Sequence, residues 1–510
     1  MKKPYFLSLT IPYVNASPHI GYALEAVQGD AMARYQRLCG KDVFFVFGTD
    51  ENSLKNVQAA QKAGKPVQEF VDEHAEAFRE LETILDLSNT HFIRTTEQRH
   101  VDGSQKLWNL CKKEDIYKKA YRGLYCVGCE IFYAPEELEN GLCPEHQTRP
   151  DVVEEENYFF RLSSYQKELK QIIGDGLIKV YPDSRKNEML ALIDKGLEDF
   201  SISRSLERAH GWGIPVPGDP SQIMYVWFDA LTNYLTALDF HKEQSSPYTS
   251  YWVQPGEEKR EVIHVLGKGV ARFHLVYWLG MLLSAGLQLP TSEFIHGYIT
   301  VDGQKMSKSL NNVIHPKKLV ETYGIDAVRY YFLGAISAYQ DGDFSDVRFR
   351  EIYTSHLVNG VGNLTSRILS MIEKYQNNLI PHKADDLFDT VGFWKKYQEA
   401  IERFAFHDVV HNIQTLVTAL DTTISEEKPW ELVRKGQPVE ALFYRLSEGL
   451  RHLALALLPI MPQTAENILV QLGLDPKKMD VLSVEKEWGR LEPGTRIQRA
   501  EEVLFPRLTS

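Results

Sequence analysis

PYFLSLTIPYVNASPHIGYAL, residues 4–24, decides the fold. Its first half has the apolar content and alternation of a buried strand, and its second half reads as the first turn of a helix. A short turn carrying Asn15, Ser17, Pro18, His19 and Gly21 joins them. Ser17 is expected to cap the helix and Pro18 to sit in its first turn. The same order then repeats: a helix over about 18–39, the apolar strand DVFFVFGTD (42–50), and a helix rich in Ala, Gln and Glu from about Glu51. A β-α-β-α succession specifies an α/β fold built on a doubly wound, Rossmann-like parallel sheet.

Further along, residues 120–215 change texture to tyrosines, cysteines, prolines and short strand-like runs, which marks an insertion into the sheet domain. The α/β pattern resumes at IMYVWFDAL (223–231) and EVIHVLGKG (261–269), each read as an apolar strand running into a turn. From about 350 the chain is wholly helical. Val409, Ile413, Leu416 and Leu420 lie on one helix face, and Pro459 and Pro462 bound a second, largely buried helix. The expected division is 1–115 and 216–300 for the two halves of the sheet domain, 116–215 for the insertion, 301–350 for a connecting region and 351–510 for an all-α bundle.

The 510 residues exceed what one core can serve. Hydrophobic content of 43%, charged content of 25% and a net charge of −12 describe an ordinary globular protein, and restrict any nucleic-acid contact to a local basic surface. The N-terminal apolar run is interrupted by Ser8, Thr10 and Pro12 and alternates like a strand, so it is no export signal. The longest apolar stretch, LVYWLGMLLSAGL (275–287), is too short for a bilayer. A cytoplasmic protein is expected. Five cysteines do not suggest a disulfide scaffold.

Three stretches carry chemistry. At SPHIGY a helix N-terminus offers free N–H groups and partial positive charge to a phosphate, Gly21 permits close approach, and His19 can donate to an oxyanion. Alone, a capped helix with a surface histidine would explain it. DGQKMSKSLNN (302–312) is a small-residue loop whose Lys305 and Lys308, with Ser307 and Ser309, suit gripping a transferring phosphoryl charge. Cys126-x-x-Cys129 and Cys143-x-x-His146 form two ligand pairs separated by thirteen residues, the spacing of a closed tetrahedral and hence structural Zn²⁺ site. Cys39 and Cys111 have no partners at useful spacing.

His-Ile-Gly after the first strand and KMSKS after the second half of the sheet resemble the two signatures of class I aminoacyl-tRNA synthetases. The chain as a whole resembles the methionyl branch. The resemblance implies ATP-dependent ligation of L-methionine to its tRNA through an adenylate, with Mg²⁺ accompanying ATP and Zn²⁺ held in a knuckle. It implies that His19, Lys305 and Lys308 stabilise charge, and that His19, Gly21, Tyr22, Gly267, Lys305, Ser307 and Lys308 meet ATP. By position, Ile11, Tyr13, Asp50, Trp227, Ala230, Leu231, Tyr234, Val270, Phe273 and His274 correspond to the methionine site, Asp50 facing the ammonium. Asn363, Arg367 and Trp430 correspond to the anticodon reader. A chain ending soon after the bundle is expected to lack an extra C-terminal module and to be a monomer.

The chain departs from the family pattern at Tyr22, where a second histidine is usual, at Asn52-Ser53, where histidine and glycine are usual, and at Gly269, where aspartate is usual. Losing one charged donor costs on the order of 2–3 kcal/mol of transition-state stabilisation unless compensated. These departures leave two other functions to weigh: a paralogue that serves a non-tRNA acceptor, and a catalytically inactive RNA-binding protein. The anticodon positions argue against the former, intact His19 and KMSKS against the latter. Leucine, isoleucine or valine specificity is disfavoured because 120–215 is too short for an editing domain beside the knuckle.

Overall fold

The computed structural model describes residues 2–508 apart from Cys129, His146 and residues 254–255, 257–259 and 307–311; the side chains of Ile131, Ser246 and Lys305 are also outside the description. Six parallel strands build the central sheet: β1 (Pro4–Leu9), β2 (Asp42–Thr49), β3 (His91–Arg94), β4 (Lys179–Tyr181), β5 (Glu261–Gly267) and β6 (Ser292–His296), in the spatial order β3-β2-β1-β5-β6-β4. β1 and β5 lie side by side at the middle, Tyr5 opposite Glu261 and Leu9 opposite Val265. Strands covered on both faces should be largely apolar, and β1 is: Phe6, Leu7 and Leu9 are fully buried, with the buried polar Ser8 between them. Chain order reverses direction across the β1–β5 seam, so the crevice beyond their C-terminal ends is where ligands bind such sheets.

The structure corrects two expectations. IMYVWFDAL is not a central strand: its start belongs to Asp219–Met224, in a small antiparallel sheet with Pro215–Val216 and Ser203–Ser205, and Val226–Leu231 is helical. Its apolar run is equally apt for a buried helix, a choice periodicity cannot make over nine residues. The helix expected from Pro18 begins at Ile20 and runs to Leu38, with His19 rather than Ser17 as its cap. Ser17 is dispensable there because the Ile20 N–H donates to the Ile314 carbonyl at 3.0 Å.

Residues 116–215 hold an antiparallel sheet of Ile116–Cys126, Ile131–Tyr133, Asp151–Phe160 and Phe200–Ser201. The same range also supplies β4, which pairs with β6 and so adds an edge to the central sheet. A small sheet of Ile299–Val301, Gln304–Lys305 and Gly342–Phe344 holds the residues leading into the KMSKS stretch. Beyond residue 346 the regular structure is helical, with the long helices Phe406–Glu427 and Glu440–Leu457 packed together, but the chain is not wholly helical as expected: 376–389 and 486–508 are irregular. The latter ends before Pro459, and Pro462 opens the next helix.

Candidate active site

Phosphate-type chemistry centres on the turn into helix α1 (Ile20–Leu38). The Gly21 N–H donates to His19 Nδ1 at 3.0 Å, so Nδ1 is an acceptor and the ring proton sits on Nε2. Although His19 keeps an exposed face, desolvation by the surrounding turn lowers its imidazole pKa, and nearby His315 lowers it further. Glycine at 21 leaves the His19 ring its place: a Cβ there would lie 2.8 Å from His19 Cε1 and turn the imidazole aside, and 3.5 Å from Met306 Cε. Residues on both sides of 307–311 pack against this turn. Met306 reaches Gly21, Ile314 accepts from Ile20, and His315 Nδ1 lies 3.2 Å from the Pro18 carbonyl. Ser307 and Lys308 lie outside the described residues, as does the side chain of Lys305.

Tyr22 is buried and points inward. Its hydroxyl donates to the Thr10 carbonyl at 3.3 Å and its ring packs edge-on against Phe78. Thr10 is further held by Glu25, which accepts from the Thr10 N–H at 2.8 Å and bonds His296 Nε2 at 2.8 Å. Gly267 ends β5 beside His296. A side chain at 269 would have to turn Tyr298 aside: a Cβ on Gly269 would lie 1.9 Å from the Tyr298 hydroxyl, and Lys268 sits over that ring while pairing with Asp341 at 2.7 Å.

The amino-acid wall assembles across the seam. Trp227 and Phe273 stack with centroids 3.6 Å apart and planes 5° from parallel, and Tyr13 meets Trp227 edge-on. Ile11, Val270, Leu231 and Tyr234 pack into the same apolar cluster as Phe273, and Ala230 is buried on the helix carrying Trp227. His274 Nδ1 faces the Val270 carbonyl at 2.9 Å and Nε2 faces the Tyr234 hydroxyl at 2.6 Å. Desolvation depresses its pKa to about 4, so it is neutral and takes the Tyr234 proton into its hydrogen bond. The buried Tyr13 hydroxyl and Trp227 indole N–H have no protein partner among the described residues. These are the orienting polar points expected in an otherwise apolar ligand wall.

At the other end of that wall lie acidic groups. Asp50 is 2% exposed and forms a backbone bridge with Tyr13. Desolvation raises its carboxyl well above the usual range, and the charges of Asp229 and Glu130 raise it further. Asp229 is itself fixed, by His100 Nε2 at 2.7 Å and by the Asn52 amide, which donates at 2.8 Å. Two buried carboxylates in one low-dielectric corner favour a cation between them. Asn52 and Ser53 thus have defined tasks: Asn52 also donates to the Thr95 carbonyl, and Ser53 caps the helix Leu54–Ala63.

Asp229, His100, Glu130 and Arg204, which pairs with Glu130 at 3.2 Å, belong to this corner without any motif in the sequence to mark them. The signal for Asp229 was available as a lone acid inside the apolar run YVWFDAL. The other three sit far away in sequence, and nothing local marks them.

Cys126 ends a strand at 2% exposure and Cys143 is fully buried, both in the knuckle region. Cys129 and His146 lie outside the described residues, and among the described residues no group of three metal-ligating side chains is found. Two buried thiols brought in from separate turns fit a thiophilic metal. In the bundle, Asn363 is exposed, Arg367 stands one turn later paired with Asp421 of the neighbouring helix, and Trp430 is 43% exposed. No helix among the described residues is long and apolar enough to cross a membrane.

The family model for tRNA synthetases class I (M) matches residues 5–150 and 133–369. The methionine–tRNA ligase of Rhizobium meliloti is 39% identical over 524 residues, covering 99% of this chain and 98% of its own. That of Caldanaerobacter subterraneus subsp. tengcongensis is 38% identical over 528 residues, covering 100% of this chain and 79% of its own. Among solved structures, Mycobacterium tuberculosis methionyl-tRNA synthetase in complex with methionyl-adenylate superposes with a TM-score of 0.91 at 35% identity, covering 99% of this chain and all of that one. Matched by this family model over most of its length and by these relatives along the whole of it, the chain belongs to the methionine–tRNA ligase family of class I tRNA synthetases.

Proposed function

We propose that this protein ligates L-methionine to its tRNA in two steps, through methionyl-adenylate. The observation that carries the reading is the adjacency of the Trp227–Phe273 wall to the buried Asp50–Asp229 corner. A thioether suits the aromatic faces and the α-ammonium suits the carboxylates. The methionine carboxylate oxygen attacks the α-phosphorus of ATP, the bond from that phosphorus to the bridging oxygen breaks, and pyrophosphate leaves. No proton need move. His19 Nε2–H, Lys305 and Lys308 neutralise charge that develops on the phosphate oxygens, with Gly21, Tyr22, Gly267 and Ser307 around the nucleotide. Mg²⁺ supplies further charge neutralisation when it arrives with ATP. A terminal ribose hydroxyl of the tRNA then attacks the adenylate carbonyl, the carbonyl–phosphate bond breaks, and AMP departs with its phosphate taking up the hydroxyl proton.

Cys126, Cys129, Cys143 and His146 would hold a structural Zn²⁺, supported by their spacing and by the burial of the two described thiols. The exposed faces of Asn363 and Trp430, with Arg367 nearby on the same helix as Asn363, support anticodon reading, since an exposed indole stacks an unpaired base. We place the enzyme in the cytoplasm as a monomer.

The test is ATP–pyrophosphate exchange without tRNA, run with each of the twenty amino acids. Exchange with methionine alone is expected. Folded, zinc-replete protein that exchanges with none would remove the adenylate step, and exchange with another amino acid would reassign the pocket.

A further inference from the structure

Glu130 follows the second knuckle cysteine in sequence, yet its side chain is fully buried against the catalytic core. It holds a positive φ of 53°, uncommon for a residue with a Cβ. One carboxylate oxygen accepts the Lys55 N–H at 3.1 Å and the other accepts from Arg204 at 3.2 Å. Its carbonyl accepts the Tyr225 hydroxyl. Arg204 is sandwiched in turn, 5.7 Å from the Tyr125 ring centre and 5.4 Å from that of Tyr225.

These contacts lead to both sides of the amino-acid wall. Lys55 stands in the first turn of the helix Leu54–Ala63 with its ammonium 5.0 Å over the Tyr13 ring. The next residue, Asn56, donates from its amide to the Asp50 carbonyl at 2.9 Å. On the other side, Tyr225 is the residue from which the helix carrying Trp227, Ala230 and Leu231 begins. One buried side chain and its carbonyl therefore tie together the segments presenting Asp50 and Tyr13 and the segment presenting Trp227.

We infer that Glu130 is a positioning residue through which the knuckle sets the geometry of the amino-acid site, acting on Tyr13, Asp50 and Trp227 without touching substrate. The inference rests on the proposed methionine site. A side chain that only completed the knuckle would face its own loop, whereas both oxygens here are spent on other segments. Held wall segments keep the ammonium and side-chain subsites in register, and the nucleotide turn at His19–Gly21 has no bond to Glu130 among those described.

The experiment compares Glu130→Ala and Glu130→Gln with the wild type for zinc content, thermal melting, KM for methionine and for ATP in pyrophosphate exchange, and methionine-induced tryptophan fluorescence. Expected is a methionine KM raised about tenfold or more in Glu130→Ala, a smaller rise in Glu130→Gln, and an ATP KM that stays within about twofold. Zinc content should match the wild type, and the fluorescence titration should shift in parallel with the methionine KM. A methionine KM unchanged in both variants overturns the inference. So does loss of zinc or of general stability in both, which would assign Glu130 to the knuckle's own folding. A wild type with no methionine-dependent exchange would instead fail the underlying site reading, and is scored separately.

Discussion

At the scale of the residue, electrostatics dominates. Asp50 is neutralised more easily than an ordinary carboxylate because burial raises its pKa, and Asp229 and Glu130 add to the rise. A bound ammonium stabilises the charged form, so methionine binds best when Asp50 is ionised. As pH falls through the raised pKa the carboxyl takes a proton and the pair weakens. The methionine KM is therefore expected to climb as pH is lowered through that raised pKa, with no matching change in the ATP KM. Asp50→Asn should cost about 2–5 kcal/mol of methionine binding and flatten that dependence. A methionine KM independent of pH in the wild type would contradict this account. Residue-level departures from the family pattern also find local reasons: Gly269 makes room for the Tyr298 hydroxyl, and Asn52 bridges Asp229 to the Thr95 carbonyl.

At the scale of the element, the helix Glu440–Leu457 is anchored by Glu448, which is fully buried. It accepts from Arg451 at 2.7 Å and from the N–H groups of Gly489, Arg490 and Leu491 at 2.9–3.0 Å. Burial alone would raise its carboxyl, but hydrogen bonds from His452 and Arg451 outweigh that and hold it at about 2. Its stabilisation is present above the ordinary carboxylate range and is lost as pH drops from about 4.5 towards 2. Glu448→Ala, by leaving Arg451 buried with Glu485 alone, should destabilise the fold by about 3–5 kcal/mol at pH 7 in urea unfolding, and the difference from wild type should shrink in acid. A constant difference across that range would be inconsistent with the pair. Legibility from sequence also varies by element. β1, β2 and α1 were readable because long buried strands and a capped helix leave strong local patterns. The strand β4 was not, since three residues, KVY, carry no periodicity and are recruited only by β6. The cap of α1 was misread for a related reason: a tertiary carbonyl, Ile314, satisfies the N–H that a serine would otherwise help to cover. The aromatic wall was placed by resemblance rather than pattern, because Trp227 and Phe273 read as ordinary core until their stacking is seen.

At the scale of the molecule, sheet domain and bundle share a buried ionic joint. Arg329 is inaccessible to solvent and pairs at 2.7 Å with Asp30 on α1, the helix that begins at the His19 turn. The same guanidinium donates to the carbonyls of Leu85, Pro459 and Ile460 at 3.0–3.1 Å. Arg329→Met strands those carbonyls and leaves Asp30 with Arg34, at an expected cost of about 3–5 kcal/mol. Calorimetry should show a lowered transition, and an unchanged one would show that the joint contributes little. A different consequence follows from the central seam. Ser8 on β1 bonds His264 on β5 across 256 positions of sequence, so more than half the polypeptide must leave the ribosome before β1 finds its inner neighbour. Until then β1, β2 and β3 form a half-sheet with an unpaired, apolar edge, a template for pairing with other nascent chains. Non-local closure of this kind slows folding, and here it must wait for synthesis to deliver β5. The parallel seam that creates the ligand crevice thus also makes the nascent first half of the protein a natural client for chaperones.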